Sequence, residues 1–207
     1  MTFNVNDFTG IIAKKGLASP NKFEVSITFN GNSYKELNLM CESASIGGRT
    51  VQSMLDIQYG VRREIAYGAP QYTPLTLSFL CTENLEEKIK LENWNNRIVN
   101  SRIPSGAGRF DVEYYEKYTG QVIVKKLDKS NNPVFSIKYL DAWPKTVSQI
   151  DLNHSTTNST LRVTCEFSYS YWEMEGTGVA NPSRTSSSLP SSVQRTINVG
   201  YTTTING

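Results

Sequence analysis

Leu161-Arg162-Val163-Thr164-Cys165-Glu166-Phe167-Ser168-Tyr169-Ser170-Tyr171-Trp172 carries an apolar or aromatic side chain at every odd position and, before Trp172, a polar one at every even position. A period of two puts the odd set on one face of an extended chain, the pattern of a strand with one buried and one open side. An α-helix would scatter the same side chains around its axis. At ~3.3 Å per residue the segment reaches roughly 35 Å, longer than an ordinary strand, so partner strands are expected along its whole length. Burial of Leu161, Val163, Cys165, Phe167, Tyr169 and Tyr171 would contribute on the order of 10 kcal/mol, an upper bound because the unfolded chain already hides part of that area.

The same alternation recurs upstream. Phe23, Val25, Ile27 and Phe29 share one parity and lead into Asn30-Gly31, the dipeptide that supplies the positive φ angles of a tight hairpin. A return strand is predicted from about Tyr34 to Ala44, with Leu37, Leu39 and Cys41 on one face. Further strands are predicted at Leu75, Leu77, Phe79 and Cys81, at Phe110, Val112 and Tyr114, at Val122 and Val124, and at Phe135, Ile137 and Tyr139. Ala142-Trp143-Pro144 reads as a corner, and Ile150 and Leu152 as the start of a short strand. One helix is expected, capped by Asn84, with Glu87 completing a capping box and Glu86-Glu87 at the positive end of its dipole. Its apolar stripe is Leu85, Ile89 and Ile98 with Trp94 nearby.

Two stretches have no place in that core. Residues 45–67 break at Ile46-Gly47-Gly48 and then resume alternation through Leu55, Ile57, Tyr59 and Val61 before Arg62-Arg63-Glu64, the reading of a long protruding hairpin or loop. A segment of that length without core is more often functional than idle. Beyond Glu173, residues 175–192 turn rich in Gly, Ser, Thr and Pro, a linker by composition. Val193, Ile197, Val199, Tyr201 and Ile205 then share one parity again, as a strand pairing with the edge of a neighbouring molecule would. The fold class is therefore mainly β, an antiparallel β-sandwich or barrel with one α-helix. It divides into an N-terminal arm (1–20), a β domain (21–173) and a linker with a C-terminal strand (174–207).

The 207 residues suffice for a real core, and 21 Lys+Arg against 19 Asp+Glu leave a net charge of +2. That lacks the basic excess of a dedicated nucleic-acid binder, and the pairs Lys14-Lys15, Arg62-Arg63 and Lys125-Lys126 are scattered. No apolar run approaches the ~20 residues of a membrane span, and Met1 to Gly10 show no basic start or apolar core of a secretory signal. Cys41, Cys81 and Cys165 each fall on apolar strand parity, small buried thiols of a protein folded in a reducing cytoplasm.

Candidate chemistry is thin. Glu83, Glu86, Glu87 and Glu92 are better explained by a helix start than by acid–base catalysis, and His154, the single histidine, sits in a polar turn. Gly106-Ala107-Gly108-Arg109 resembles a phosphate loop superficially, but it follows a helix and lacks the lysine and hydroxyl that such a loop needs. Asn153-His154-Ser155 and Asn158-Ser159-Thr160 match glycosylation sequons, which act only on secreted chains. No catalytic residue, metal or cofactor is expected. The expectation is a structural protein whose open strand edges are covered by further copies of itself, in a ring if the contact closes. The alternative from a different class is a monomeric β-sandwich that binds carbohydrate through its eleven tyrosines.

Four separated stretches carry a family resemblance: Pro20-Asn21-Lys22-Phe23-Glu24-Val25, Cys41-Glu42-Ser43-Ala44-Ser45-Ile46-Gly47-Gly48, Tyr139-Leu140-Asp141-Ala142-Trp143-Pro144 and Tyr169-Ser170-Tyr171-Trp172-Glu173. In this order, across about Leu17 to Glu173, the chain resembles the tail tube subunit of contractile bacteriophage tails. More distantly it is similar to inner-tube proteins of type VI secretion and extracellular injection systems. The resemblance implies a ring-forming tail tube fold and homohexameric rings stacked inside a contractile sheath. It also implies a lumen through which phage DNA passes without sequence-specific binding, and a virion protein assembled in the bacterial host cytoplasm with no membrane contact. Its partners would be copies of itself, the sheath protein, the baseplate tube initiator and the tail terminator. A tube initiator of the baseplate shares the fold and is the alternative within the family. Contacts between subunits or rings are expected at Ile46, Gly47, Gly48, Val51, Leu55, Ile57, Tyr59, Arg62 and Arg63, at the C-terminal Val193, Ile197, Val199 and Tyr201, and through the N-terminal arm.

Overall fold

Asn30 and Gly31 both adopt positive φ, 51° and 75°, and reverse strand β1 (Phe23–Phe29) into the two-residue β2 (Asn32–Ser33). The expected return strand stops there. In this computed structural model, which describes residues 4–57, 60, 62–100, 111–155 and 159–176, the chain instead coils into helix α2 (Lys35–Leu39) before strand β3 (Cys41–Ser45). The Asn38 side chain explains why this is tolerated. Its Oδ1 accepts the Ile27 N–H at 2.8 Å, replacing the ladder bond that a longer β2 would have made. Leu37 is buried as expected, whereas Leu39 is 83% exposed, because a helix does not keep alternate residues on one face.

Two sheets are built around one shared strand. The first runs β2, β1, β11 (Gly120–Leu127), β12 (Pro133–Val147), with β14 (Tyr171–Gly176) on the far side of β12. The second runs β12, β13 (Arg162–Ser168), β8 (Leu75–Leu80), β3, and every pairing is antiparallel. β12 passes from one sheet to the other at Asp141, whose φ is 53°. Residues 135–140 pair with β14, and residues 143–147 with β13. The expected corner at Ala142-Trp143-Pro144 is thus a bend inside a 15-residue strand, the usual way a strand changes sheets. Among the described residues the strand order does not close into a barrel, and the architecture is a β-sandwich sharing one strand.

The strand that decided the fold follows β12 around this bend. Val163, Cys165 and Phe167 are fully buried, as their parity predicts. At Tyr169-Ser170 the chain breaks step, with Ser170 N–H donating to Leu140 O at 3.0 Å, and resumes as β14 with the other parity inward. Trp172, half-buried, then lies opposite the buried Tyr139, Met174 lies opposite Ile137 but is still 37% exposed, and Tyr171 is 45% exposed. A twelve-residue run reads as one strand because sequence period carries no sign of the bend, where both strands change parity together while their register runs on from Trp143↔Ser168 to Leu140↔Tyr171.

Four helices are described where one was expected. Helix α1 (Val5–Lys15) lies within the polar N-terminal stretch, capped by Asn4 and ended by Gly16 at φ 72°, with no buried residue and with Val5, Phe8 and Ile11 exposed. Helix α3 (Glu86–Ile98) is the expected one, with a different cap. Asn84 makes no cap; Leu85 takes the left-handed conformation, and Glu87 reaches back to accept the Thr82 N–H at 2.9 Å and its hydroxyl at 3.0 Å. The buried stripe is Glu87, Leu91, Trp94 and Ile98, while Ile89 faces solvent. Trp94 joins the two sheets. It stacks on Phe29 at 4.5 Å, meets Phe167 edge-on at 5.8 Å and donates its indole N–H to Tyr118 O.

The expected strand at 110–114 reduces to β10 (Asp111–Val112), paired with β9 (Val99–Asn100) and followed by helix α4 (Tyr115–Tyr118). Val112 and Tyr114 are exposed, because a strand this short has no sheet face to bury them against. Phe110 lies outside the described residues. The short strand expected at Ile150 and Leu152 does not form. Leu152 is exposed, and Ile150 packs on the core from an irregular segment.

Candidate functional site

Between β3 and β8 the chain leaves the sheet and returns, forming a stepped hairpin. Its rungs are β4 (Arg49–Thr50) with β7 (Gln71–Tyr72), then β5 (Ser53–Asp56) with β6 (Arg63–Ala66). Tyr67 N–H donates to Gln52 O at 2.8 Å between the two steps. Neither face of the hairpin is covered. Val51, Met54, Leu55 and Ile57 are each more than half exposed, as is Tyr67. Arg63 pairs with Asp56 at 3.0 Å, and Ser53 hydrogen-bonds Glu64, so the polar groups of the outer step are satisfied within it. These side chains form an uncovered apolar patch along one projection of the chain.

The base of the hairpin is fixed by aromatic residues that sequence reading placed in the strands but did not connect to it. Tyr169 donates its hydroxyl to Thr73 O at 2.7 Å, and Gly47 N–H donates to the Tyr139 hydroxyl at 3.3 Å. Gly48 N–H donates to Thr73 Oγ1 at 2.7 Å. Tyr139 packs edge-on against Tyr169, Tyr72 tilts against Tyr169 and meets Trp172 edge-on, and Arg49 lies over Trp172 at 5.5 Å. Burial pushes the Tyr169 hydroxyl up to about 12, with Tyr139 and Tyr72 adding to the effect. Burial also raises Tyr139, against the lowering effect of the Gly47 N–H. Both phenols stay protonated and able to hold these bonds across the physiological range. These tyrosines lie far from Gly47 in the chain, and no local pattern announces the contact.

The expected contact residues fall as follows. Ile46 is exposed beside this base, Gly47 and Gly48 belong to it, and Val51, Leu55, Ile57, Arg62 and Arg63 lie on the projection. Tyr59, Val193, Ile197, Val199 and Tyr201 lie outside the described residues.

A second surface is the open face of the first sheet. Register places Glu24, Lys125, Ser136 and Glu175 in one row and Ser26, Ile123, Lys138 and Glu173 in the next. Their neighbours along the strands, Val25, Ile27, Val122, Val124, Ile137 and Tyr139, fill the core. Lys125 pairs with Glu24 at 3.5 Å, so charge of both signs alternates across the face. Among the described residues, β14 pairs only with β12 and β3 only with β8, which leaves both sheet edges open.

The residues considered for chemistry do not converge. Glu87 caps α3, Glu86 pairs with Lys90 and Glu92 with Lys88. Burial works against the Glu87 carboxylate, but the Thr82 hydrogen bonds outweigh it and hold the group below the usual carboxylate range. Asn153 Oδ1 is occupied by the Ser155 N–H and hydroxyl, in the turn that carries His154. Burial raises the Cys41 thiol to about 12 and drives Cys165 up as well, the state of packing residues rather than nucleophiles. Among the described residues no group of three or more His, Cys, Asp or Glu is placed to hold a metal, and no helix is long and apolar enough to cross a membrane. Gly106 to Arg109 and Asn158 lie outside the described residues.

With this geometry in view, the family can be assigned. No curated protein matches the chain. Among solved structures, a chain of the anti-feeding prophage baseplate aligns with a TM-score of 0.58 at 17% identity, covering 77% of this chain and 96% of its own. A chain of the extracellular contractile injection system PVC, in its extended sheath–tube complex, aligns at 0.56 and 14% identity, covering 82% and 98%. One from the anti-feeding prophage tube-terminating cap aligns at 0.53 and 14%, covering 78% and 92%. These likenesses establish a common fold. The profile of the phage tail tube proteins matches residues 18–175, and the chain accordingly belongs to the phage tail tube protein family.

Proposed function

We propose that the protein is the repeating subunit of an inner tail tube, forming homohexameric rings that stack inside a contractile sheath. The observation that carries this is the combination of an uncovered apolar hairpin on a fixed base with two open sheet edges. The edges can pair between copies around a ring, and the hairpin can reach the next ring. In this arrangement Ile46, Gly47, Gly48, Val51, Leu55, Ile57, Tyr59, Arg62 and Arg63 belong to the ring-to-ring contact. Val193, Ile197, Val199 and Tyr201 add a strand to a neighbour's edge, and helix α1 offers Val5 and Ile11 to an adjoining subunit. The arm (1–20), the tube domain (21–173) and the C-terminal region (174–207) follow that division of labour, although β14 itself runs on to Gly176.

The open face of the first sheet suits the lumen wall. Glu24, Glu173 and Glu175 interleave with Lys125 and Lys138, so a passing DNA finds no continuous basic stripe. Each phosphate contact would add affinity, and affinity would slow ejection. The partners implied are the sheath protein, a baseplate initiator and a tail terminator, with assembly in the host cytoplasm and residence in the virion. A baseplate tube initiator is the second reading, supported by the similarity to a baseplate chain of the anti-feeding prophage. Electron microscopy of the purified protein distinguishes them. The repeating subunit gives six-fold rings that stack into long tubes, an initiator gives rings alone, and a persistent monomer at high concentration overturns both.

A further inference from the structure

Lysines that are far apart in the chain meet at one end of the first sheet. Lys14 and Lys15 close the last turn of α1, Lys22 precedes β1, and Lys126 and Lys129 flank the end of β11. Together they line a cavity of about 650 Å³. The sequence pairs Lys14-Lys15 and Lys125-Lys126 look unrelated, and only the docking of the α1–β1 connection against the β11–β12 turn joins them. The last-turn position of Lys14 and Lys15 complements the helix dipole, which accounts for two of the five. The other three have no such role.

Among the described residues none of the five forms an ion pair. Lys22 Nζ donates to Asn131 Oδ1 at 2.7 Å, and Lys126 Nζ to the carbonyls of Lys22 and Leu127. Neutral acceptors hold these two ammonium groups in place, and Lys22 also acts through its charge on Asp128, contributing after that carboxylate's own loop hydrogen bonds to keep it below its ordinary range. The single carboxylate in the lining, Asp128, is turned to its own loop, where it accepts the N–H groups of Ser130 at 2.7 Å and Asn132 at 2.8 Å. The lining also includes Leu17, Ala18, Leu127 and Val134, and of these Leu17 is 69% and Val134 43% exposed.

We propose that this cavity is a docking site for an acidic segment of a partner polypeptide that also carries an apolar side chain. The lysine rim supplies charge complementarity, and Leu17 and Val134 supply a surface that an apolar side chain would cover. Nucleic acid fits less well. No aromatic lines the cavity for bases to stack on, and no arginine is present to grip a phosphate through two hydrogen bonds. The partner's segment is not this chain's own C-terminal stretch, since residues 177–207 contain no Asp or Glu.

The test uses the full-length protein and a fluorescein-labelled peptide of alternating glutamate and leucine, followed by fluorescence anisotropy. Saturable binding is expected at about 50 mM salt and its loss at about 500 mM, as for screened charge pairs. The double variant Lys15→Glu/Lys129→Glu should weaken binding about tenfold or more, while Lys145→Glu, an exposed lysine elsewhere, should leave it unchanged. Circular dichroism checks that the variant is folded, and Lys15→Gln/Lys129→Gln, which removes charge without reversing it, should give an intermediate loss. A glutamate–serine peptide should bind less tightly than the glutamate–leucine one. Absence of binding, equal affinity in the double variant, or tighter binding of oligothymidylate or phosphatidylserine vesicles than of the peptide would overturn the proposal.

Discussion

Gly47 sits where the hairpin leaves the sheet, and the space around its Cα has no room for a methyl group. A Cβ there would lie 2.5 Å from Tyr169 Oη and 2.7 Å from Thr73 O, whereas ordinary contact begins near 3.4 Å. The neighbours would have to retreat by about 0.9 Å (3.4 − 2.5) and 0.7 Å (3.4 − 2.7). These two atoms are bonded to each other at 2.7 Å, so a methyl group between them opens that hydrogen bond. Losing it costs about 1 kcal/mol, and forcing the packed surroundings apart costs about 1–3 more. The stiffer unfolded chain returns about 0.4–1 kcal/mol. Gly47→Ala is therefore expected to destabilise by about 1–4 kcal/mol, a fall in Tm of about 5–10 °C near the middle of that range for a chain of this size. Gly48→Ala is the matched control. The same methyl group would meet nothing nearer than 3.8 Å, and neither glycine has a left-handed backbone, so Tm should hold or rise slightly. Thermal unfolding by circular dichroism measures both. Equal Tm values for the two variants, or a larger fall for Gly48→Ala, would refute the idea that the base of the hairpin is sterically locked.

The hairpin itself should be separable from the fold. Leu55→Asp/Ile57→Asp alters exposed side chains and should shift stability by no more than about 0.5 kcal/mol, while tube formation disappears in electron micrographs; normal tubes would exclude the hairpin from ring stacking. Glu87→Gln weakens the cap of α3 and should cost about 1–2 kcal/mol near neutral pH. The folded-state carboxyl is held below its ordinary value of 4.5, so the contribution is present above that pH and is lost as pH falls through the folded value. Urea titrations should show the wild-type advantage shrinking below about pH 4, and an advantage that grows on acidification would contradict the assignment. Iodoacetamide near pH 8 should leave Cys165 unmodified in the folded protein and label it after denaturation, as burial keeps it a thiol. Peptide mapping that finds Cys165 alkylated in native samples would show the second sheet opening.

Much of this was legible in the chain, and the boundary is physical. Period two located β1, β8, β11 and the inward set Val163, Cys165 and Phe167, because those residues have a core face along their whole length. Asn30-Gly31 gave the turn through its φ preference alone. The pattern failed where two paired strands bend together, as the chain at Tyr169-Ser170 does beside Asp141, so that Tyr171 and Trp172 exchange the faces their parity predicts. It failed too where a side chain stands in for a strand, as Asn38 does for the rest of β2. Helix α1 escaped because it buries nothing, so no core stripe marks it. The projecting hairpin was visible as alternation without a core. Its tyrosine base and the lysine cavity were not, since each joins residues separated by most of the chain.

Because β12 belongs to both sheets, the angle between them is set by covalent backbone at Asp141 and Ala142 rather than by side chains sliding over one another. Load applied to one layer is handed to the other along a continuous peptide, with no slip plane between. In the proposed tube, a wall of such units would draw axial stiffness from within each subunit, as a conduit under thrust would require.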